Sequence, residues 1–338
     1  MIIDGHNDVL SSLKYGPGLR HIKLGPPSAA DGFAGGFFSV WAPSPDDSHD
    51  WPSPPYARPL AGPVAHQEAR LAALDMVGLL SQLEVDGQLQ VAHSTSDFSA
   101  GHLTAVLHLE GAEPVAEDLS DLVDWYERGV RSIGIVWARH NAFGEGVPFA
   151  FPSSPDTGPG LTSAGMDLVR ACNEMGIVVD TSHLNRGGFF DVAELSTKPL
   201  VATHSNVHAL CPMSRNLEDD QLDAIRDSGG VVGVSFALPF LLKDGRCDKA
   251  TPLEVVCAHL EYVAERAGAE HVAFGSDFEG ADVPDAIGDS TGFGTLVEKL
   301  KDRGWEGSAL KMLTHDNWLR VLRATWGETG TSGPGSSL

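Results

Sequence analysis

The sequence predicts a single (β/α)8 TIM barrel. Eight short runs rich in β-branched and aromatic residues alternate with longer segments of helical periodicity. Eight is the strand number at which the commonest α/β barrel closes. Histidine and acidic side chains fall just after those runs, and the C-terminal ends of the strands are where a barrel gathers its site.

In chain order the predicted strands are residues 1–4 (MIID), 37–41 (FFSVW), 105–109 (AVLHL), 132–137 (SIGIVW), 177–181 (IVVDT), 200–203 (LVAT), 231–236 (VVGVSF) and 272–275 (VAFG). Helices are predicted over 64–86, 163–174, 219–227, 252–267 and 293–303. In the second of these, Ala164, Leu168, Val169, Cys172 and Met175 share one face, which reads the cysteine and methionine as core. Two stretches interrupt the alternation: 42–63 is rich in Pro, Ser and Asp, and 142–161 in Pro, Gly and Ser. Each follows a strand, so each is a βα loop on the C-terminal face, either a cover over the site or a surface insertion. One domain is expected over 1–326, followed by a disordered Gly/Ser tail over 327–338.

The balance of 46 acidic against 23 basic residues gives a formal charge of -23, which repels phosphate backbones and anionic lipid and argues against nucleic-acid or membrane partners. The start, MIIDGHNDVL, lacks a signal peptide's basic end and apolar stretch, and no run of about 20 apolar residues is present. The expectation is a cytoplasmic protein without a membrane anchor. Four cysteines without a CxxC pair read as thiols; a Cys211–Cys247 bridge would require an oxidising compartment.

His6 and Asp8 follow strand one, Glu110 strand three, His140 strand four, His183 strand five, His204 and Arg215 strand six, and Asp277 strand eight. In His6-x-Asp8 the alternation of an extended strand turns both side chains to one side, so both can grip one ion. Glu110 closes an apolar strand, where a carboxylate requires a cation or several donors. A salt bridge is the weaker explanation in a chain so short of Lys and Arg. His183 and His204, with Glu110 shared, complete five N/O ligands suited to a pair of zinc ions or to a single ion. Arg215 is suited to a substrate carboxylate, or equally to a salt bridge with Glu218, Asp219 or Asp220. His140 is placed to polarise a carbonyl, and Asp277 is either a proton-transferring acid or a structural cap. No Walker A, GxGxxG or GxSxG motif is present.

The ordered segments DGHND, GGFFSVW, LHLEGAEP, RHN, DTSHL, THSN, SRNLEDD, GVVGVSF and GSDFEG resemble the membrane dipeptidase (renal dipeptidase) family of zinc metallopeptidases, from about Asp4 to Leu322. The resemblance implies an amidohydrolase-like barrel with a binuclear zinc centre. His6, Asp8 and bridging Glu110 would hold one ion, and Glu110, His183 and His204 the other. It further implies that His140 and Arg215 contact a dipeptide substrate and that Asp277 handles protons while a metal-bridging hydroxide attacks the amide. A homodimer is compatible with this reading. The alternatives are hydrolysis of another small amide or ester, such as an N-acyl amino acid or lactam, and a non-catalytic barrel scaffold. The chain departs from the family pattern at His315 and Asp316, where small residues are usual, and at Glu279, where Asp is usual; either change is expected to bear on the pocket.

Overall fold

A computed structural model describes residues 1–25, 32–44, 51–98 and 101–327. Its strands, numbered here around the barrel, are β1 (Ile2–Asn7), β2 (Phe33–Trp41), β3 (Thr104–Glu110), β4 (Val130–Gly134), β5 (Val178–Asp180), β6 (Val201–Ala202), β7 (Val231–Val234) and β8 (Val272–Phe274). They pair in sequence order, every pair parallel. The ring closes where Asp277 N–H donates to His6 O (3.1 Å) and Asp8 N–H donates to Phe278 O (2.8 Å). All eight predicted strands lie on these positions. The helices α1 (Val9–Tyr15), α2 (His66–Val85), α3 (Leu122–Glu127), α4 (Ser163–Met175), α5 (Arg186–Leu195), α6 (Asp219–Asp227), α7 (Leu253–Ala267) and α8 (Gly292–Asp302) follow along the chain. The expected faces are core: Leu168, Val169 and Cys172 of α4 are fully buried.

Two apolar layers result from the alternation of each strand. Outward residues such as Phe38, Leu107 and Val179 pack under the helices, and inward residues Ile3, Phe37, Val106, Val178, Val201, Val231 and Ala273 fill the axis. The N-terminal end of the barrel is stopped by a last helical stretch: α9 (Gly307–Lys311), a π-helical turn (Met312–Asp316) and α10 (Asn317–Trp326). Trp318 reaches inside, donating through Nε1 to Phe274 O (3.1 Å). A Cβ on Gly5 would sit 2.5 Å from the Trp318 ring, so the strand must be bare there.

The two interrupting loops meet. Tyr56–Ala57 and Ala150–Phe151 form a two-stranded antiparallel sheet, and Tyr56 and Phe151 pack with Cys211, Met213, Ala237 and Phe240. They are therefore a joint cover and not two separate insertions. All four cysteines are free thiols, Cys211 buried and Cys247 exposed, so the conceivable bridge is not formed. The expected Gly/Ser tail lies, beyond Gly327, outside the described residues.

Candidate metal centre

Six of the eight candidate residues converge at the C-terminal mouth of the barrel. Val106, His108 and Glu110 alternate inward along β3, so the strand that buries Val106 delivers Glu110 to the mouth. The two Glu110 oxygens then face different partners. Oε2 lies 3.4 Å from His6 Nε2, whereas Oε1 lies 3.1 Å from His183 Nε2 and 3.5 Å from His204 Nε2. Asp8 Oδ2 is 3.2 Å from His6 Nε2, and the His183 and His204 Nε2 atoms are 3.1 Å apart. Ligand atoms of His6, Asp8 and Asp277 lie within 4.8 Å of one another, as do those of His6, Glu110 and His204.

His6 reaches this point by a different route from simple alternation. Ile3 and Gly5 both approach Trp318 on the barrel axis, and a regular strand would turn His6 away. The β1–β2 register slips between Asp4 and Asn7, and this irregularity re-aims His6 into the mouth. Asp8 has already left the strand as the residue preceding α1, and Ser39 and Ser11 donate to its Oδ1 at 2.5 and 3.3 Å. Backbone constraint is concentrated here as well: His183 (φ 66°) and Asp277 (φ 65°) hold left-handed conformations. A Cβ on Gly280 would fall 2.2 Å from Asp8 Oδ2 and 2.7 Å from Asp277 Oδ1, so only glycine lets the chain pass these carboxylates.

The donor set fits divalent cations. Asp180 accepts from Thr203 N (2.8 Å) and Thr203 Oγ1 (2.6 Å), and Thr203 Oγ1 lies 2.8 Å from His204 Nδ1. Since the hydroxyl gives its proton to the carboxylate, its lone pair accepts Nδ1–H, and Nε2 of His204 turns a lone pair into the mouth. Burial, reinforced by nearby Arg215 and His6, holds His183 and His204 well below the usual imidazole range, so both are neutral and suited to ligate a cation. Burial opposes charge on His6 also, yet Glu110 and Asp8 hold it well above that range; the two carboxylates demand a cation between them. Burial pushes the Asp277 carboxyl up to about 7, with His6 acting in the opposite direction.

Arg215 is 3% exposed and donates from Nη1 to Ser205 Oγ (2.7 Å) and from Nη2 to His204 O (2.8 Å). The salt bridge left open for it is not made. Glu218 and Asp220 pair with Arg186, and Asp219 with Arg266. Arg215 Nε has no partner among the described residues. Burial pulls its guanidinium down to about 10, although Asp180, Asp277 and Glu110 all favour its charge.

His140 does not join the cluster. Its side chain is 55% exposed, with Nε2 3.6 Å from Glu145 Oε1. It borders a cleft of about 500 Å³, also lined by His66, Glu113, Glu117 and Phe143, which includes none of the five expected ligands. Next to it, sequence reasoning passed over Arg139, which is fully buried and donates from Nε to Glu113 Oε1 (2.8 Å) and from Nη2 to Ala42 O (2.6 Å). This pair ties the β2, β3 and β4 ends together, and an acid in the apolar segment GAEPV was the signal that a buried base would be required. Glu279 is a clamp outside the mouth: its carboxylate accepts from the N–H groups of Arg20, His21 and Ile22. His315 and Asp316 lie in the π-helical turn, His315 against the Met1 backbone at the opposite end of the barrel. Neither departure touches the mouth.

The membrane dipeptidase model (peptidase family M19) matches residues 1–329. The chain belongs to this family and is a metallo-dipeptidase. Its fold is similar to a metallo peptidase from Rhodobacter sphaeroides solved with a phosphinate mimic of the dipeptide L-Ala-D-Ala, at 42% identity and a TM-score of 0.91, covering 96% of this chain and 99% of that one. An uncharacterized protein in the pqqA 5' region of Klebsiella pneumoniae is 48% identical over 244 residues, 71% of this chain and 90% of its own length. Dipeptidase aclJ of Aspergillus oryzae is 33% identical over 231 residues, 68% of this chain and 53% of its own length. Despite the family's description, no helix of this dipeptidase among the described residues is long and apolar enough to cross a membrane.

Proposed function

We propose that this metallo-dipeptidase hydrolyses L-Xaa-L-Xaa and L-Xaa-D-Xaa dipeptides with two zinc ions, one held by His6, Asp8 and Glu110 and the other by Glu110, His183 and His204. The observation that carries the reading is the division of Glu110, one oxygen toward His6 and the other toward His183 and His204. A carboxylate so placed would serve both ions. Imidazole and carboxylate donors without thiolate suit zinc. The mimic bound by the Rhodobacter relative is of a dipeptide with a D residue in second position, which supports the substrate class.

When bound, the ion pair polarises the scissile carbonyl and supplies hydroxide near neutral pH by lowering the pKa of water from about 16 toward about 7. The chain's own residues do the rest. Arg215, buried and with Nε unpartnered, binds the free C-terminal carboxylate through paired N–H donors. Asp277, whose carboxyl is pushed up to about 7, holds and releases a proton at Oδ near neutrality and delivers it to the departing amine nitrogen. His140 orients the substrate from the rim, and for an exposed side chain this requires it to turn inward as substrate arrives.

The test is elemental analysis of purified protein together with hydrolysis of a mixed L,L and L,D dipeptide set. The expected result is about two zinc ions per chain with turnover abolished by chelation and restored by zinc. About one ion per chain with full activity would remove the bridging role, and zinc-loaded protein that cleaves no dipeptide would overturn the substrate assignment.

A further inference from the structure

The mouth is walled on one side by aromatic rings that the hydrolytic chemistry does not use. Phe149 stands 6.2 Å from the His183 ring, edge to face, and lies nearly parallel to Phe240 at 6.1 Å with an interplanar angle of 22°. Trp51 closes on both, 5.3 Å from Phe149 and 6.3 Å from Phe240. At the far end the Arg215 guanidinium lies 5.7 Å from the centre of the Phe240 ring. The wall thus spans the distance between a metal-site histidine and the arginine suited to a carboxylate. Phe240 is buried, whereas Trp51 and Phe149 are half-buried, with the Arg58 guanidinium 4.9 and 5.9 Å from their ring centres.

These rings are held by the same contacts that hold Arg215. Ser214 N–H donates to Ala150 O (3.1 Å), and Ala150 N–H donates to Ser214 Oγ (3.0 Å), so the residues following Phe149 and preceding Arg215 are joined directly. The pairing of Tyr56 with Phe151 brings the strand downstream of Trp51 against the same segment. A dipeptide with its carboxylate on Arg215 and its amide beside His183 places the α-carbon of its second residue between them. In one of the two configurations at that carbon, the side chain of that residue faces Phe149 and Phe240.

We infer that Trp51, Phe149 and Phe240 form the subsite for the side chain of the C-terminal residue, and that the enzyme selects dipeptides ending in an aromatic or large aliphatic residue. Desolvation of apolar surface on both sides supplies the preference, with ring-to-ring contact adding to it for Phe or Tyr. The inference rests on the dipeptidase reading and on Arg215 as the carboxylate group.

The experiment compares kcat/KM of the zinc-loaded enzyme on Ala-Gly, Ala-Ala, Ala-Leu and Ala-Phe with the reversed series Gly-Ala to Phe-Ala, and measures inhibition by phosphinate mimics of Ala-Ala and Ala-Phe. Ala-Phe should exceed Ala-Gly by about tenfold or more, with a flatter reversed series. Phe149→Ala should lower the ratio of kcat/KM on Ala-Phe to that on Ala-Gly by about tenfold, and the Ala-Phe mimic should weaken relative to the Ala-Ala mimic in parallel. Phe149→Leu should fall between, and Trp51→Ala should repeat the pattern if Phe149→Ala folds poorly. Equal losses on Ala-Phe and Ala-Gly, or a preference confined to the reversed series, would overturn the subsite while leaving the dipeptidase reading intact. Failure of the zinc-loaded wild type on every dipeptide would remove that reading and the subsite with it.

Discussion

The two ends of the barrel are made by the same strands and yet differ completely in what they tolerate. At the N-terminal end, Ile3, Phe37, Val106 and Val231 close on Trp318, which makes one hydrogen bond and is otherwise enclosed by apolar atoms. At the C-terminal end, His6, Asp8, Glu110, His183, His204 and Asp277 crowd together, several within 3.5 Å of a neighbour. Van der Waals contact stabilises the first end outright. The second assembles groups whose burial is costly and which bound cations would reconcile, so stability is placed at the stopper and function at the mouth.

That division predicts opposite outcomes for truncation at the two ends. Glu110→Ala removes the carboxylate proposed to bridge and should lower dipeptide turnover by about 10³-fold or more, with bound metal falling below the two ions per chain proposed for the wild type, while the melting temperature of the metal-stripped protein stays close to wild type or rises. Trp318→Ala should cost about 3–5 kcal/mol of folding stability in denaturant titrations and leave the zinc content of the folded fraction unchanged. A metal-stripped Glu110→Ala protein that unfolds as readily as Trp318→Ala would show that the mouth, too, bears on stability.

The contrast also has a pH signature away from the metal. His259 in α7 is fully buried and neutral, with Nδ1 accepting from Val207 N–H (3.1 Å) and Nε2 donating to Leu241 O (3.0 Å). Burial pushes its pKa down to about 4 from the ordinary 6.5. Because the folded value is the lower one, the unfolded chain takes up the proton first as pH falls. The stabilisation is intact above about 6.5, declines between 6.5 and 4, and amounts to about 3 kcal/mol when fully lost. The melting-temperature gap between wild type and His259→Gln should therefore narrow on acidification from pH 7 to 4. A gap that is constant with pH would show that His259 takes up its proton as readily in the fold as in the unfolded chain.

The sequence made the strands and the convergence of the candidate ligands legible for a common reason. Each ligand sits within a few residues of a short apolar run, and a barrel converts that one-dimensional position into convergence at the mouth. What stayed hidden depends on contacts between distant segments. The pairing of Tyr56 with Phe151 and the fit of Trp318 beside Gly5 cannot be deduced from local pattern, and the partner of Arg215 was decided by Arg186 and Arg266 occupying the acids beside it. The strand register was misjudged for His6: the pair with Asp8 forms as expected, but through an irregularity that alternation does not anticipate. Glu279 and His315, departures outside the inferred ligands that could have reshaped the pocket, face elsewhere, since a motif records neighbours in sequence and not the direction of a side chain.

The finest test of the comparison is a group that belongs to both regimes. Thr203 directly follows β6, buried like a core residue, and its hydroxyl both donates to Asp180 and accepts from His204 Nδ1. Thr203→Val keeps the volume and removes both bonds, leaving His204 free to take the other tautomer, in which Nε2 carries the proton and no longer offers a lone pair. Zinc affinity at the His183–His204 position should fall by about 10- to 100-fold, read as one of two ions lost early in a chelator titration, and Thr203→Ser should restore it. If Thr203→Val retained both ions with wild-type affinity and changed only the melting temperature, Thr203 would belong with Trp318 as packing, and the tautomer of His204 would have to be set by another group.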